Sequence, residues 1–448
     1  MGKKLTVFSL TLMTVGSVDS IRNLPAAALV GTEILRYFGL AFFFFLLPSA
    51  VISGWFSSKS SEGIYGWVKN SLGKKSGFIA IWFQWMQNIL IYPTFFSFIA
   101  GGILYCINPN LIENKPLIFF IVNVLIWSLT GINIKGFHLS KRLSVFCSIA
   151  GLILPFILIL SIGFIWVILH PHDLKILPPA QQDSWSSLTA IILSFCGIEI
   201  AGVFTQESNP GALPKAIAFS VFIILITMLF GSYTLALLVS PQQLNFISGI
   251  PELFQIFFNQ IQCPNLSIIF ILLIVIGCIG CANNWLISPL KGLMFASNEM
   301  DCSGTHSSTK LLVIQAFAVT LMSTVFLLFK SINASYWFML TLATQMYLLM
   351  YGFMFTAAIR QAWQEKERFY WVIILFSILG FTGATLSLIV SFTPPNSIKV
   401  SSLWQYDFCI AGCLLLMATS SILWKKILYY HKVSPQNLVV TASTQFRN

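Results

Sequence analysis

Apolar segments of about 20 residues, the length a helix needs to cross a hydrocarbon core, follow one another along almost the whole chain. They run at roughly 5–30, 35–57, 77–107, 116–136, 140–169 and 186–206, then at 214–240, 265–297, 310–330, 333–359, 369–392 and 403–430. In lipid every backbone N–H and C=O must find a partner inside the protein, which leaves helices or closed barrels as spanning structures. Runs of this length select helices. With 57% hydrophobic and 9% charged residues in 448, too little polar surface remains for a soluble fold. The expected fold class is therefore an all-α membrane protein of twelve transmembrane helices.

Basic residues set the expected orientation, because Lys and Arg concentrate in loops that stay in the cytoplasm. With both termini inside, 19 of the 25 fall on the cytoplasmic side, among them Lys59, Lys69, Lys74, Lys75, Lys141, Arg142, Arg360 and Arg368. The net charge of +11 is then accounted for by an anionic inner leaflet, and no nucleic-acid partner is implied. Lys3 and Lys4 precede an apolar run as in a secretory signal, yet no small-residue cleavage site closes it and Asp19 and Arg22 interrupt it. A retained first helix is expected.

The nine cysteines are scattered and mostly within spans, as apolar fillers are. Cys278 and Cys281 form a CxxC inside an apolar helix with no second pair and no nearby histidine, so no metal or cofactor is implied. The five histidines lie in loops or at span ends, and neither HExxH, GxSxG nor GxxxxGK[ST] occurs. Enzymatic chemistry is not expected.

Two spans break around glycine beside a charge. The first reads FSLTLMTVGSVDSIRNLPAAALV, with Gly16 and Ser17 ahead of Asp19 and Arg22. The other is LTAIILSFCGIEIAGVFTQESNP, with Gly197 ahead of Glu199. Of the 14 acidic residues only Asp19 and Glu199 lie deep in a span, and Arg22 is the one basic residue near them. A charge at that depth costs several kcal/mol (about 2.5–3.5 on insertion scales) unless it faces a cavity or a partner. Interrupted helices in matching halves mark transporter binding sites, where freed backbone groups and half-helix ends meet a substrate's charges.

The motif GIE in span six, followed by QESNP and Pro214, is similar to the amino acid/polyamine/organocation superfamily, as is the amphipathic loop EGIYGWVKNSLGKKSGF from Glu62 to Phe78. Within it the chain most resembles the bacterial glutamate/GABA antiporters. Shared segments are GLILPF (Gly151 to Phe156), WLISPLKGLM (Trp285 to Met294), the two tyrosines of MYLLMYGFMF (Tyr347, Tyr351) and VSFTPPNSI (Val390 to Ile398). The likeness runs from the first span to the twelfth. It implies a LeuT-like five-plus-five inverted repeat (about 5–169 and 186–359) with broken helices 1 and 6, two extra helices at about 369–430, and a short cytoplasmic tail from 431 to 448.

The resemblance also implies a site. The carboxylate of an amino acid would meet backbone N–H groups near Gly16, Ser17 and Val18, its ammonium would meet carbonyls near Cys196, Gly197 and Ile198, and Tyr347 and Tyr351 would line the path. Two positions depart from the antiporters: Arg22 stands where they carry tyrosine before the proline of span one, and Cys281 where they carry glutamate in span eight. Local charge becomes more positive, so Arg22 either favours an anionic substrate or pairs with Asp19. The antiporters' long C-terminal plug is expected to be absent, since 18 residues follow position 430.

Each candidate has a plainer reading. Glu199 is either a proton carrier or a static acceptor for the unwound backbone. Gln84, Gln87, Asn88, Tyr92, Asn283 and Asn284 either line the site or bond neighbouring helices, with Asn88 and Asn284 the preferred site members. Glu207, Lys215, Lys291, Glu299 and Asp301 are either a cytoplasmic latch or surface charge. Sodium coupling is disfavoured, since Ser144 and Ser148 are the only ligand candidates in LSVFCSIAGLILPF. The expected function is exchange of an amino acid for a related one or its decarboxylation product across a bacterial cytoplasmic membrane. Proton-coupled uptake and a non-transporting sensor are the alternatives.

Overall fold

A computed structural model describes residues 4–18, 21–60, 62–135, 153–169, 185–240, 244–299, 308–394 and 403–432. Each of the twelve apolar windows holds helix. Span one is Val7–Val18 followed by a 3-10 turn, Ile21–Asn23, and a short helix, Leu24–Ala28. Span two is Ile34–Ala41, a π turn at Phe42–Leu46, and Leu47–Lys59. Spans three and four are Lys74–Ile107 and Lys115–Lys135, and Leu154–Leu169 belongs to span five.

Span six is divided into Trp185–Phe195 and a 3-10 segment, Ile198–Glu207. Spans seven and eight are Ala212–Leu238 and Pro264–Glu299. Span nine comprises Ser308–Ser323 with Val325–Leu328, and spans ten to twelve are Ile332–Glu365, Tyr370–Val390 and Leu403–Lys432. Among the described residues nine spans are individually long and apolar enough to cross a bilayer, and the sole β pairing is a bridge between Leu5 and Ser208.

Burial sorts the spans. In the most apolar windows of spans three and ten 83% of residues are buried, against 28% in spans four and eleven, which places the former pair inside and the latter against lipid. Span ten packs along spans three and eleven, and span three along span eight. Close approach uses small residues. A Cβ at Gly383 would stand 2.1 Å from the Phe44 carbonyl, and one at Gly380 would stand 2.3 Å from the Phe355 ring, so span eleven seats its glycine face on spans two and ten.

The same order of elements appears twice: a divided helix, a second span, a short helix outside the bundle, then a long third span with an internal proline, Pro93 or Pro289. The short helices are Gly63–Leu72 and Gly249–Gln260. The first covers the lysine-rich face, where Trp67 stacks on Phe56 at 5.4 Å and its indole N–H donates to the Ser60 carbonyl. The second covers the opposite face. Just before it, Ile247 fills the space a side chain at Gly101 would need, and Gly249 sits on Pro25.

Span one departs from expectation in one detail. Gly16 and Ser17 lie within the helix, which runs unbroken to Val18, and regular helix resumes only at Leu24. A glycine is tolerated in a buried helix, where neighbours supply the packing. Gly197 differs because its φ of +110° is a conformation L side chains rarely adopt.

Trp67 leaves no room beside Gly202, where a Cβ would lie 2.4 Å from the indole ring. Gly202→Ala is expected to lower stability by about 1–3 kcal/mol through overpacking, read as a fall in the thermal unfolding midpoint of the purified protein. An unchanged midpoint would mean that the Gly63–Leu72 helix does not rest on span six as described.

Candidate functional site

Span six stops being α-helical at Phe195 because Gly197 turns the chain into the left-handed region. The backbone then tightens: Cys196 N–H donates to the Leu193 carbonyl at 3.1 Å and Ile200 N–H to the Gly197 carbonyl at 3.0 Å. A run of ten 3-10 residues follows, and such runs rarely exceed three or four without a hinge or strain. The turn is enclosed: a Cβ on Gly197 would lie 3.1 Å from the Trp285 ring and 3.4 Å from Val18. The opening of span six therefore faces the end of the first half of span one.

Glu199 rises from the first 3-10 turn and is 1% exposed. Four donors converge on its carboxylate. Gln84 Nε2 reaches Oε1 at 2.8 Å and the Tyr347 hydroxyl reaches the same oxygen at 2.5 Å. The Tyr351 hydroxyl and the Gly197 N–H, at 3.2 Å, reach Oε2. The Gly197 N–H is shared with the Tyr351 oxygen at 3.1 Å. An ionised carboxylate has about four acceptor positions, and the protein itself fills them.

This cage ties span six to spans three and ten. Hydrogen bonds to a charged group are each worth about 1.5–3 kcal/mol net, so the buried charge is held by the groups it organises. Tyr347 and Tyr351 are fully buried with ring centroids 5.3 Å apart, Phe45 packs edge-on to Tyr351 at 4.8 Å, and Trp285 packs against Tyr347 at 5.9 Å.

Arg22 lies in the 3-10 turn that follows the interruption of span one and is 3% exposed. Its Nη1 donates to Thr94 Oγ1 at 3.0 Å and to the Tyr336 hydroxyl at 3.3 Å, and its guanidinium lies over the Phe95 ring at 3.8 Å. Among the described residues it has no carboxylate partner. Asp19 lies outside them.

The other candidates separate. Cys196 donates its thiol to the Ile192 carbonyl and Ile198 is core. Asn88 donates to the Trp285 carbonyl at 3.4 Å while its Oδ1 has no partner. Asn283 accepts from Asn133 at 2.7 Å, bonding spans four and eight as helix glue. The side chains of Ser17 and Asn284 lie outside the described residues.

Gly16, Ser17 and Val18, expected to offer backbone N–H groups, lie within the helix Val7–Val18. Within a helix N–H groups bond back to the preceding turn. Thr94, Phe95 and Tyr336 were not among the candidates. Tyr336 had a readable signal, standing eleven residues, about three turns, before Tyr347 on one face of span ten.

At the lysine-rich mouth Lys69 bridges Glu62 and Glu299, each at 2.8 Å, and Lys74 approaches Glu299 at 3.5 Å. Lys59 joins the end of span two to Glu365 and, at 2.7 Å, to Glu367. Of the expected latch residues, Glu299 is engaged, Lys215 is exposed, and the side chains of Glu207, Lys291 and Asp301 lie outside the described residues. The Lys69 hydrogen bond, with smaller help from Tyr65 and Lys74, outweighs desolvation and holds the Glu299 carboxyl below its ordinary value. Burial works to lower Lys69, but its bonds to Glu299 and Glu62 outweigh it and raise the ammonium.

Known proteins bear on this arrangement. A model of the amino acid permease family matches residues 5–417. An uncharacterised transporter of Legionella pneumophila is 32% identical over 439 residues, covering 92% of this chain and 95% of the relative. A glutamate/gamma-aminobutyrate antiporter of Lactococcus lactis is 24% identical over 445 residues, covering 91% and 87%. The crystal structure of MhsT in complex with L-phenylalanine shares the fold, with a TM-score of 0.61 over 87% of this chain and 99% of that one at 14% identity.

Two outcomes are expected. Glu199→Gln places an amide donor against four donors and should cost about 1–3 kcal/mol of stability, more than Tyr347→Phe, in thermal unfolding of the purified protein; wild-type stability in both variants would dissolve the clamp. The mouth cluster should be insensitive to mild acid. Glu299's contribution is complete above the ordinary value of 4.5 and is lost only as pH falls through its depressed pKa, while that of Lys69 persists to above 10.5. Glu299→Gln should therefore raise cysteine accessibility at that mouth equally at about pH 5.5 and about pH 7.5, whereas an effect confined to one pH would remove the latch assignment.

Proposed function

Because the chain belongs to the amino acid permease family, a family of membrane transporters, we propose that it is a secondary active antiporter exchanging a glutamate-like amino acid for a related amino acid or its decarboxylation product. The observation that carries this reading is the meeting of the two interrupted spans, Gly197 against Val18, at a fully buried depth. The first helix of span six ends there at Phe195, and the partial negative charge of its C-terminal end suits an ammonium. The second half of span one restarts at Ile21–Asn23, whose N–H groups suit a carboxylate. These two zones match the charged ends of an amino acid.

Alternating access then needs the two halves to move about the fixed site. The Gly63–Leu72 helix, with the Lys69 and Lys59 ion pairs, closes one mouth, and the Gly249–Gln260 helix closes the other. The likeness to the Lactococcus antiporter supports exchange and an acidic substrate. Glu199, with its acceptor positions filled by the protein, acts in this reading as a static clamp. The excess of lysine and arginine at the basic mouth supports a cytoplasmic position in a bacterial cell for it and for both termini.

Counterflow in proteoliposomes tests the proposal. Labelled glutamate should enter only when a partner amino acid or gamma-aminobutyrate is preloaded inside, and a pH gradient across otherwise empty vesicles should drive no accumulation. Accumulation driven by the pH gradient alone would replace exchange by proton symport; stoichiometric binding without flux would replace transport by sensing.

A further inference from the structure

We propose that Arg22 is the specificity-determining residue of the transport site, anchoring the second carboxylate of an acidic amino acid through the Nε edge of its guanidinium. This rests on the transport reading above and adds to it the residue that reads the substrate's second carboxylate.

The guanidinium is built as a receptor with one edge open. Its flat face is covered by Phe95 at 3.8 Å, and Nη1 is occupied by Thr94 and Tyr336. Both hydroxyls are fixed from behind: Thr94 donates its own proton to the Ile91 carbonyl at 2.6 Å, and Tyr336 donates to the Arg22 carbonyl at 3.4 Å. Two neutral acceptors orient the cation without neutralising it. Nε is buried and has no partner, and among the described residues Nη2 donates to none. These are the two parallel N–H groups with which arginine grips a carboxylate. Among the described residues this buried guanidinium has no carboxylate partner, and a buried cation so placed is costly and a candidate ligand site.

The surroundings lead from this cation to the two interruptions. On span three Asn88, Tyr92 and Phe95 stand at spacings of four and three residues on one face, and on span eight Cys278, Cys281 and Trp285 stand at three and four. The stripes meet at both ends. Asn88 bonds to the Trp285 carbonyl beside Gly197, while Cys278 lies within the electrostatic reach of Arg22. Seven residues of helix span about 10 Å, so the cation stands roughly that far along the bundle from the opened turn of span six. Along that stretch the Oδ1 atoms of Asn88 and, beside the cation, of Asn23 are buried without partners. In this proposal an α-amino acid held at the interruptions directs its side chain along the two stripes toward the positive charge of Arg22.

The test compares labelled glutamate with glutamine, its neutral isostere, in two assays on the full-length protein. In counterflow, Arg22→Gln should lower the ratio of glutamate to glutamine uptake about tenfold or more, the effect of losing hydrogen bonds to a charged group. Arg22→Lys, which keeps the charge and loses the paired grip, should fall between. In ligand-induced thermal stabilisation of the wild type, glutamate should raise the unfolding midpoint more than glutamine. Equal loss of both substrates in the variants, or equal stabilisation of the wild type by both ligands, overturns the proposal and leaves Arg22 a structural group. Preferential stabilisation by glutamate, lost in Arg22→Lys, in a protein that exchanges nothing would sink the transport reading while sustaining the anchor. The wild-type comparison decides the matter even where the variants fail to fold.

Discussion

A helix opened inside a membrane must have its freed polar groups answered by the protein, because hydrocarbon answers none. In this chain the answer at span six is Glu199. Its carboxylate takes the Gly197 N–H that the turn releases and, in the same contact, the hydroxyls of Tyr347 and Tyr351 and the amide of Gln84. One buried charge thereby fixes the opened turn of span six to spans three and ten, whose apolar windows are 83% buried. Remove it, and the Gly197 N–H would keep only the Tyr351 hydroxyl as acceptor, and the carboxylate that joins the turn to spans three and ten would be gone.

The rest of the architecture surrounds that fixed point. Spans three and ten are buried because they supply the donors, and spans four and eleven shield them from lipid. The two short helices outside the bundle occupy equivalent places after the second span of each half, one on each face. They are held differently. The lysine-rich face uses ion pairs at its edge and aromatic packing beneath, with Trp67 pressed on Gly202. The opposite face is seated through Ile247 at Gly101, Phe246 stacked on Tyr336 at 5.6 Å, and the Phe246 N–H donating to Asn333. Tyr336 thus touches both that cover, through Phe246, and Arg22.

Much of the fold was legible because hydrophobic length is a local property. Each window of about 20 apolar residues became helix, and the interruption at Gly197 was readable because glycine is the residue that turns left-handed without strain. Gly16 misled for the complementary reason: glycine permits a break and does not demand one, so the helix runs on to Val18. Polar residues were visible as candidates, but their roles were not. Asn283 bonds span four, Gln84 feeds the Glu199 cage, and Asn88 holds the Trp285 backbone, and nothing in their sequence neighbourhoods distinguishes the three. The tyrosine pair was drawn from family resemblance; that both hydroxyls point at one carboxylate came from the structure.

The sequence by itself determined that the chain is a series of apolar helices, where span six opens, and that Glu199 and Arg22 are buried, since all three follow from composition within a single span. Tertiary structure decided what those charges touch. Glu199 meets partners 115 and 148 positions away, and Arg22 meets Thr94 and Tyr336 at separations of 72 and 314. Such pairings depend on the relative register and rotation of packed helices, set by close contacts such as those at Gly380, Gly383 and Gly101. A helix carries its own periodicity in its sequence, but the neighbour against which that periodicity is read is chosen only when the bundle closes.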